Sequence, residues 1–461
     1  MHAHNGLDLT PLSGQFSGSL IPPEHPEYNA VRQLWNAMAD KRPALIARCQ
    51  SEADIQAALA FAQQHSLEIA LRGAGHNIAG NASCNDGLLI DLSLMNEVTV
   101  DPATQLVQAG PGATLGQIDA ACQAHELAVP VGINSTTGIA GLTLGGGFGW
   151  LTRRFGMTVD ALRAARVVTV DGDVVEASAD SHPDLFWALR GGGGNFGVVS
   201  RFDFQAYPVG PEVFAGLVVF PFAQAQAVLE QYRNWILTTP ETFNAWVVIR
   251  HAPPLPFLDP AVHGTKVVVL AVCHSGELAE GEALADTLRG FGEPLGAHLG
   301  AMPYAEWQQA FDPLLTEGAR NYWKTHNFTE LSAPLVETAL DYAEGLPGPE
   351  CEVFFAVIAG AANRVASDAT AWSARDARFV MNVHARWQEA AEDERFIQWS
   401  RALFRATAPY ASAGAYVNFM TEEEGGRVED AYQQNYARLK LVKQQWDPNN
   451  QLHLNQNISP D

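Results

Sequence analysis

The chain is poor in positive charge. Its 461 residues hold 28 Lys and Arg against 51 Asp and Glu, a formal net charge of −23. Nucleic acids and anionic membranes are bound by basic faces, so neither is expected as a partner. Cysteine is scarce as well. Cys49, Cys84, Cys122, Cys273 and Cys351 are scattered, odd in number and never spaced as CxxC. This argues against a disulfide scaffold or a zinc finger, and for a reducing, cytoplasmic location. No apolar run approaches the roughly 20 residues of a membrane helix. The stretch Met1 to Glu27 has no basic start leading into an apolar core, so no secretory leader is expected. The patterns HExxH and GxSxG are missing too, which sets aside zinc-protease and serine-hydrolase chemistry.

Apolar residues and glycine, by contrast, are plentiful. Apolar residues make up 47% of the chain, enough for a substantial core and incompatible with disorder. The length asks for two or three domain-sized units. Of 40 glycines, 21 fall between Arg72 and Ser200. Glycine adopts positive φ and lets a bulky ligand approach the backbone. The region therefore reads as turn-rich β structure or as a cofactor cradle built from main chain.

The first third reads as short α/β units. Ser51 and Asp54 have the spacing of a capping box opening a helix to about His65, with Ile55, Ala58, Leu59 and Ala62 as its apolar stripe. Strands are expected at 68–72, 87–91 and 198–204, and a helix at 114–125. Asp171-Gly172 joins a hairpin of 165–170 and 174–177. A short helix at 184–190 is stopped by Gly191 to Gly194. Beyond about Tyr207, strand-like runs at 213–220, 242–250, 265–272, 352–358 and 379–385 alternate with helical stretches. That texture predicts an antiparallel sheet covered on one face, an α+β unit. An amphipathic helix is expected over 428–443.

Gly192-Gly-Gly-Asn-Phe-Gly197 matches GxGxxG but follows a helix and precedes a strand, the reverse of a dinucleotide-binding loop. Gly145-Gly-Gly-Phe-Gly149 lacks the Lys-Ser/Thr of a phosphate loop, although its N–H groups can form an anion nest. Arg72-Gly-Ala-Gly-His76-Asn77 ends a strand. Its glycines leave N–H groups free for a pyrophosphate, and an imidazole held there can serve as a nucleophile or attachment point.

Five segments, in order, carry a resemblance. They are Arg72 to His76, Thr137-Gly-Ile-Ala-Gly-Leu-Thr-Leu-Gly-Gly-Gly-Phe-Gly-Trp150, Asp184-Leu-Phe-Trp-Ala-Leu-Arg-Gly-Gly-Gly-Gly-Asn-Phe-Gly197, Tyr416-Val-Asn-Phe419 and Asn455-Gln-Asn-Ile458. Together they resemble FAD-linked oxidoreductases of the berberine bridge enzyme-like group, in the vanillyl-alcohol oxidase superfamily. The resemblance implies an α+β fold: a PCMH-type FAD-binding domain of two α/β subdomains, plus a substrate domain with a helix-covered antiparallel sheet. It divides the chain into an extension (1–34), the FAD-binding domain (35–206), the substrate domain (207–414) and a berberine-like tail (415–461) that completes the FAD domain.

The resemblance also assigns the cofactor contacts. The first turn would supply Arg72, Gly73, Ala74, Gly75, His76, Asn77 and Gly80. Pro111 and the turn Thr136, Thr137, Gly138 would follow, then Gly141, Leu142, Gly145, Gly146 and Gly149. Val199, Tyr416 and Asn418 would complete the set. His76 would bind the flavin 8α-methyl covalently. Relatives often add a second link from a cysteine where this chain has Asn134, so a single link is expected. Relatives often use tyrosine bases where this chain has Phe148 and Phe419, so a phenolate base is not expected at either place. Thr137 falls at the oxygen gate, where a small side chain favours O2.

A base must then come from the roof sheet. Asn382 and His384 point one way on their strand, and Asn382 matches a flavin-facing polar position of relatives. Glu352 shares a strand face with Phe354, and Tyr322-Trp323-Lys324 adds aromatic surface and a charge. Trp246, Trp323 and Trp387 hint at an aromatic-walled pocket. The expected activity is oxidation of a small organic substrate, an alcohol or secondary metabolite, with hydride transfer to flavin N5 and O2 reduced to H2O2. A dehydrogenase with a quinone-like acceptor and a non-catalytic FAD protein are the alternatives, and the architecture is compatible with a homodimer.

Overall fold

The structure, a computed structural model, describes residues 7–461; positions 1–6 of the expected extension lie outside the described residues. The first sheet holds β1 (Ser19–Ile21), β2 (Leu45–Arg48), β3 (Ile69–Arg72) and β4 (Leu88–Asp91) in the order β1-β2-β4-β3. β2 and β3 flank β4 in parallel, and β1 joins β2 antiparallel. The apolar run of β4 is buried on both faces, as a central parallel strand must be. The helix Glu52–Gln64 is capped by Ser51, whose hydroxyl accepts the Asp54 N–H at 3.2 Å. The Asp54 carboxylate does not return to Ser51 as a full capping box would. It accepts the N–H groups of Gln50 and Ser17 instead, at 2.8 and 2.7 Å, and so fastens the segment before β1.

The chain continues through β5 (Val98–Asp101), β6 (Leu106–Ala109), β7 (Leu127–Ala128), β8 (Leu162–Val168), β9 (Val174–Ser178), β10 (Val198–Gln205) and β11 (Tyr207–Pro208). Five of these form an antiparallel sheet, β5-β6-β10-β8-β9, and β7 pairs with β11. The β8–β9 turn carries Gly172 at φ 87°, a conformation that selects glycine. The helix Leu115–Gln123 opens on a Thr114–Gln117 capping box.

The third sheet holds β12 (Glu212–Pro221), β13 (Phe243–His251), β14 (Lys266–His274), β15 (Gly296–Pro303), β16 (Arg320–Phe328), β17 (Glu352–Val357) and β18 (Phe379–Trp387). Its order is β15-β12-β14-β13-β17-β18-β16, antiparallel throughout. The sequence pattern marks five of these strands and misses the two edges. β15 has two glycines and little apolar alternation. β16 is rich in polar residues, yet Asn321, Lys324, Thr325, His326 and Asn327 are buried there. The helices Ala225–Trp235, Ala333–Ala343 and Asp393–Thr407 pack on one face, against inward residues such as Val353, Phe355 and Val383. The opposite face turns toward the glycine-rich turns of the first two sheets.

The expected helix over 428–443 is instead two, Val428–Tyr432 and Tyr436–Trp446. Gln433, at φ 49°, breaks them, and the Asn435 amide donates to the carbonyls of Ser367 and Thr370 at 2.7 and 3.0 Å. Lys443, fully buried, then donates to Asp447 at 2.6 Å and to the carbonyls of Asn195 and Leu452 at 2.9 and 3.0 Å. The Ile458 N–H reaches Asn195 Oδ1 at 3.0 Å, so the tail closes over the Gly192–Gly197 loop. All five cysteines are free and buried. Among the described residues, no helix is long and apolar enough to cross a membrane.

Candidate functional site

A cavity of about 400 Å³ separates the glycine-rich turns from the open face of the third sheet, within the range of small-molecule sites. The turn after β3 forms one end. Arg72 is anchored away from free use, donating to Asp91 at 2.7 Å and to the Val31 carbonyl at 2.5 Å. A Cβ on Gly73 would stand 2.7 Å from the Pro111 carbonyl, and one on Gly138 2.9 Å from the Ala74 nitrogen. Backbone thus stacks on backbone, and the two turns form one wall with Ala74, Gly75, Asn77 and Thr137. His76 stacks on Trp35 at 5.0 Å, and its Nε2 lies 2.9 Å from Thr136 Oγ1. Burial pushes its pKa from 6.5 to about 4, so the imidazole is neutral at physiological pH.

The helix Ile139–Leu144 starts at Gly138 and presents Gly141 to the cavity, where an added Cβ would meet no atom within 4 Å. Leu142, Gly145 and Val199 continue the wall, as do Tyr416 and Asn418 from the tail. Asn418 packs so closely that a Cβ on Gly145 would come within 2.2 Å of it, and its amide donates to the Leu142 carbonyl at 3.1 Å. Gly80, Pro111, Thr136, Gly146 and Gly149 do not line the cavity. Thr136 is exposed, whereas Gly80 and Gly149 are packed against protein: a Cβ on Gly149 would strike the Val131 carbonyl at 2.0 Å, and one on Gly80 would strike Ala39 at 2.7 Å. At these two glycines, protein packing sets the residue type.

The roof presents a cross-strand row. Arg250 on β13 pairs with Glu352 on β17, Glu352 with His384 on β18, and His384 with Trp323 on β16. Two residues along, Val248, Phe354 and Asn382 form the next row. Intervening residues on each strand alternate to the helix side, so these side chains share the cavity face. Arg250 donates to Glu352 Oε2 at 2.7 Å, and Glu352 Oε1 lies 3.4 Å from His384 Nδ1. The amide of Asn321 is oriented by its donation to the Ala319 carbonyl at 2.9 Å. Its Oδ1 therefore accepts from His384 Nε2–H at 3.1 Å, and the Nδ1 lone pair faces the carboxylate. Burial pushes Glu352 up, but the guanidinium groups of Arg250 and, more weakly, Arg386 hold the carboxyl below its usual range. Burial, the largest influence on His384, holds that imidazole below its usual range. At neutral pH the pair thus lacks the proton that would join it.

Tyr322 does not belong to this face. Alternation sends it to the helix side, where its hydroxyl meets Glu423 and Arg401. Lys324 goes the same way, to Thr421 and Glu424 at 3.0 Å each, and Trp387 stacks on Phe396. Phe419 meets Phe148, Tyr416, Trp323 and Phe354 at centroid distances of 4.8 to 6.1 Å, and Trp246 stacks on Phe354 at 5.8 Å. Tyr416 brings a phenol to the wall, but burial pushes it up to about 12, so it is not an ionised base. Arg250, Trp150 and Trp307 join the site without having been anticipated from sequence. The alternation ending at Arg250 is the signal that could have found it.

Two family models match this chain: "FAD binding domain" over residues 43–178 and "Berberine and berberine like" over 415–459. It is 30% identical to (R)-6-hydroxynicotine oxidase of Paenarthrobacter nicotinovorans over 468 residues, covering 98% of each chain. The chain belongs to the berberine bridge enzyme-like FAD-linked oxidoreductases. This berberine bridge enzyme-like chain is also 29% identical to an uncharacterized FAD-linked oxidoreductase of Bacillus subtilis, over 97% of its own length and 98% of the other. The crystal structure of 6-hydroxy-D-nicotine oxidase from Arthrobacter nicotinovorans matches with a TM-score of 0.86 at 27% identity, covering 99% of this chain and 100% of that one. Berberine bridge enzyme from Eschscholzia californica, at 20% identity and a TM-score of 0.87 over 98% and 99%, shares the fold.

The berberine bridge enzyme-like cavity suits FAD on its own geometry. Gly141 and Gly194 leave open space at the wall where any other residue would project a side chain. Both amide atoms of Asn382 are buried on the roof without a protein partner. Such a polar group carries a cost unless a bound molecule satisfies it. The protein is an FAD-dependent oxidoreductase.

Proposed function

We propose that this enzyme is an oxidase whose FAD is bound once, through His76, and which oxidises a small organic molecule with O2 as acceptor. The observation that carries the reading is the continuous cavity joining the His76 turn to the Arg250–Glu352–His384 row. Bound there, FAD would supply a hydride acceptor and a route for two electrons to dioxygen, giving H2O2. The turn residues Arg72 to Asn77, Thr137 to Leu142 and Gly145, with Val199, Tyr416 and Asn418, would hold it. The division into FAD-binding (35–206), substrate (207–414) and tail (415–461) segments belongs to the same reading.

The proton chemistry falls to the roof. The Glu352–His384 pair is short of one proton, and accepting one turns a lone-pair contact at 3.4 Å into a charge-assisted hydrogen bond. Arg250 keeps Glu352 ionised for that task. Asn382 would orient the substrate or the cofactor edge. The aromatic walls favour a flat, ring-bearing substrate. The relative named for 6-hydroxynicotine makes hydroxylated N-heterocycles the first compounds to test. Thr137, small and at the cavity wall, leaves room for O2.

Acid precipitation of the purified protein tests the link: the yellow colour is expected in the pellet, and colour in the supernatant would refute it. Anaerobic reduction followed by air tests the acceptor. Reoxidation within seconds and stoichiometric H2O2 are expected, whereas reoxidation over many minutes would identify a dehydrogenase.

A further inference from the structure

The relay behind His76 decides which imidazole nitrogen is free. Thr136 N–H donates to Asn134 Oδ1 at 3.0 Å, which fixes that amide atom as oxygen. Thr136 Oγ1 lies 2.7 Å from the same oxygen, so its only proton points there. The hydroxyl can then only accept from His76, at 2.9 Å, and Nε2 carries the imidazole proton. Among the described residues no hydrogen bond reaches Nδ1. The turn bearing the relay is rigid: Ser135 N–H donates to Asp312 at 3.0 Å, Thr137 N–H to the Asn134 carbonyl at 3.2 Å, and Leu115 N–H to the Thr137 carbonyl at 2.9 Å. Asn134 is 9% exposed.

We infer that Asn134 and Thr136 are positioning residues for flavin attachment: they hold His76 as the Nε2–H tautomer and so present Nδ1 as the nucleophile. This rests on the covalent link proposed above. In the attachment, Nδ1 gives its lone pair to the 8α carbon and one 8α C–H bond breaks. The electron pair of that bond, the released 8α proton and the Nε2 proton together reduce the ring by two electrons. Dioxygen then restores it, leaving as H2O2. Without the relay the neutral imidazole is free to place its proton on Nδ1, which removes the nucleophilic lone pair from that nitrogen. The chain thus uses the position of the absent second link to prepare the first.

The test compares Thr136→Val, which keeps the shape and loses the hydroxyl, with Thr136→Ser, which keeps both hydrogen bonds, and with Asn134→Ala. Each protein is mixed with FAD and followed by flavin fluorescence on a denaturing gel. The nitrogen substituted is then read by NMR of the flavinyl peptide. Flavin released by acid reports non-covalent binding, and so separates lost attachment from lost fold. Wild type and Thr136→Ser should attach at Nδ1 at similar rates. Thr136→Val and Asn134→Ala should bind FAD but attach about tenfold more slowly or at mixed nitrogens. Attachment of Thr136→Val at the wild-type rate and solely at Nδ1 would overturn the relay. A wild type with no covalent flavin would overturn the link itself, a result distinct from the first.

Discussion

At the scale of single residues, the proposed proton chemistry rests on the roof row. Glu352→Gln keeps the shape but cannot take a proton, and should slow flavin reduction by substrate by about 10²- to 10³-fold, measured anaerobically by stopped flow. His384 is held below the ordinary histidine range by burial, and a base works only when deprotonated. Flavin reduction should therefore hold its plateau through neutral pH and fall only below pH ~6.5. His384→Asn should remove that acid limb. An unchanged profile in this variant would exclude the pair as the base. Glu352 and His384 are identifiable in the sequence as strand residues with reactive side chains, but their partners are not. Arg250 is 102 positions away from Glu352, and only cross-strand register brings them together. Tyr322 misleads for a related reason: its strand is a polar edge without the alternation that reveals which face is inward.

At the scale of elements, glycine turns are the most legible part of the site. Close approach is a local demand that only one residue type meets: a Cβ added at Gly73 would lie 2.7 Å from the Pro111 carbonyl, and one at Gly145 would lie 2.2 Å from the Asn418 side chain. The sequence does not separate glycines that face the cavity from those that face protein, because both demands select the same residue. Gly141 tests the distinction. It lies inside the helix Ile139–Leu144 and is exposed at the cavity. Gly141→Ala should stabilise the apoprotein by about 0.5–1 kcal/mol through helix propensity, read from denaturant unfolding, while lowering FAD occupancy. A Gly145→Ala variant should instead displace Asn418 and lose stability in the apoprotein. The tail reads as one continuous helix because its amphipathic pattern runs through Gln433. The break comes from positive φ at that residue, a conformation that no pattern of apolar positions encodes.

At the scale of the whole molecule, the tail is the fastening. Lys443 and Asp447, both 0% exposed, bind each other; Asp447 also takes the Leu452 N–H of the following turn, and Lys443 donates to the Leu452 carbonyl and to the distant carbonyl of Asn195. Lys443→Met would leave Asp447 buried and unpaired, at a cost of about 3–5 kcal/mol. Denaturant unfolding should show that loss, together with weaker retention of cofactor, since the same lysine holds the carbonyl of Asn195 beside the cavity. The fold class is readable, because helix-then-glycine and alternating strands are written locally. The two edge strands are not, because β15 lacks apolar alternation and the buried polar residues of β16 find their partners far off in sequence, as Lys324 does at Thr421.

The five cysteines, buried and pushed up in pKa by that burial, have a bearing on durability. Oxidants and aromatic disulfide reagents attack the thiolate, which none of them presents. The native protein should leave such a reagent colourless and release five equivalents only on denaturation. Under the oxidase reading proposed above, peroxide formed at the centre would meet no exposed thiol, and the cysteines would need no reductant beside them during turnover.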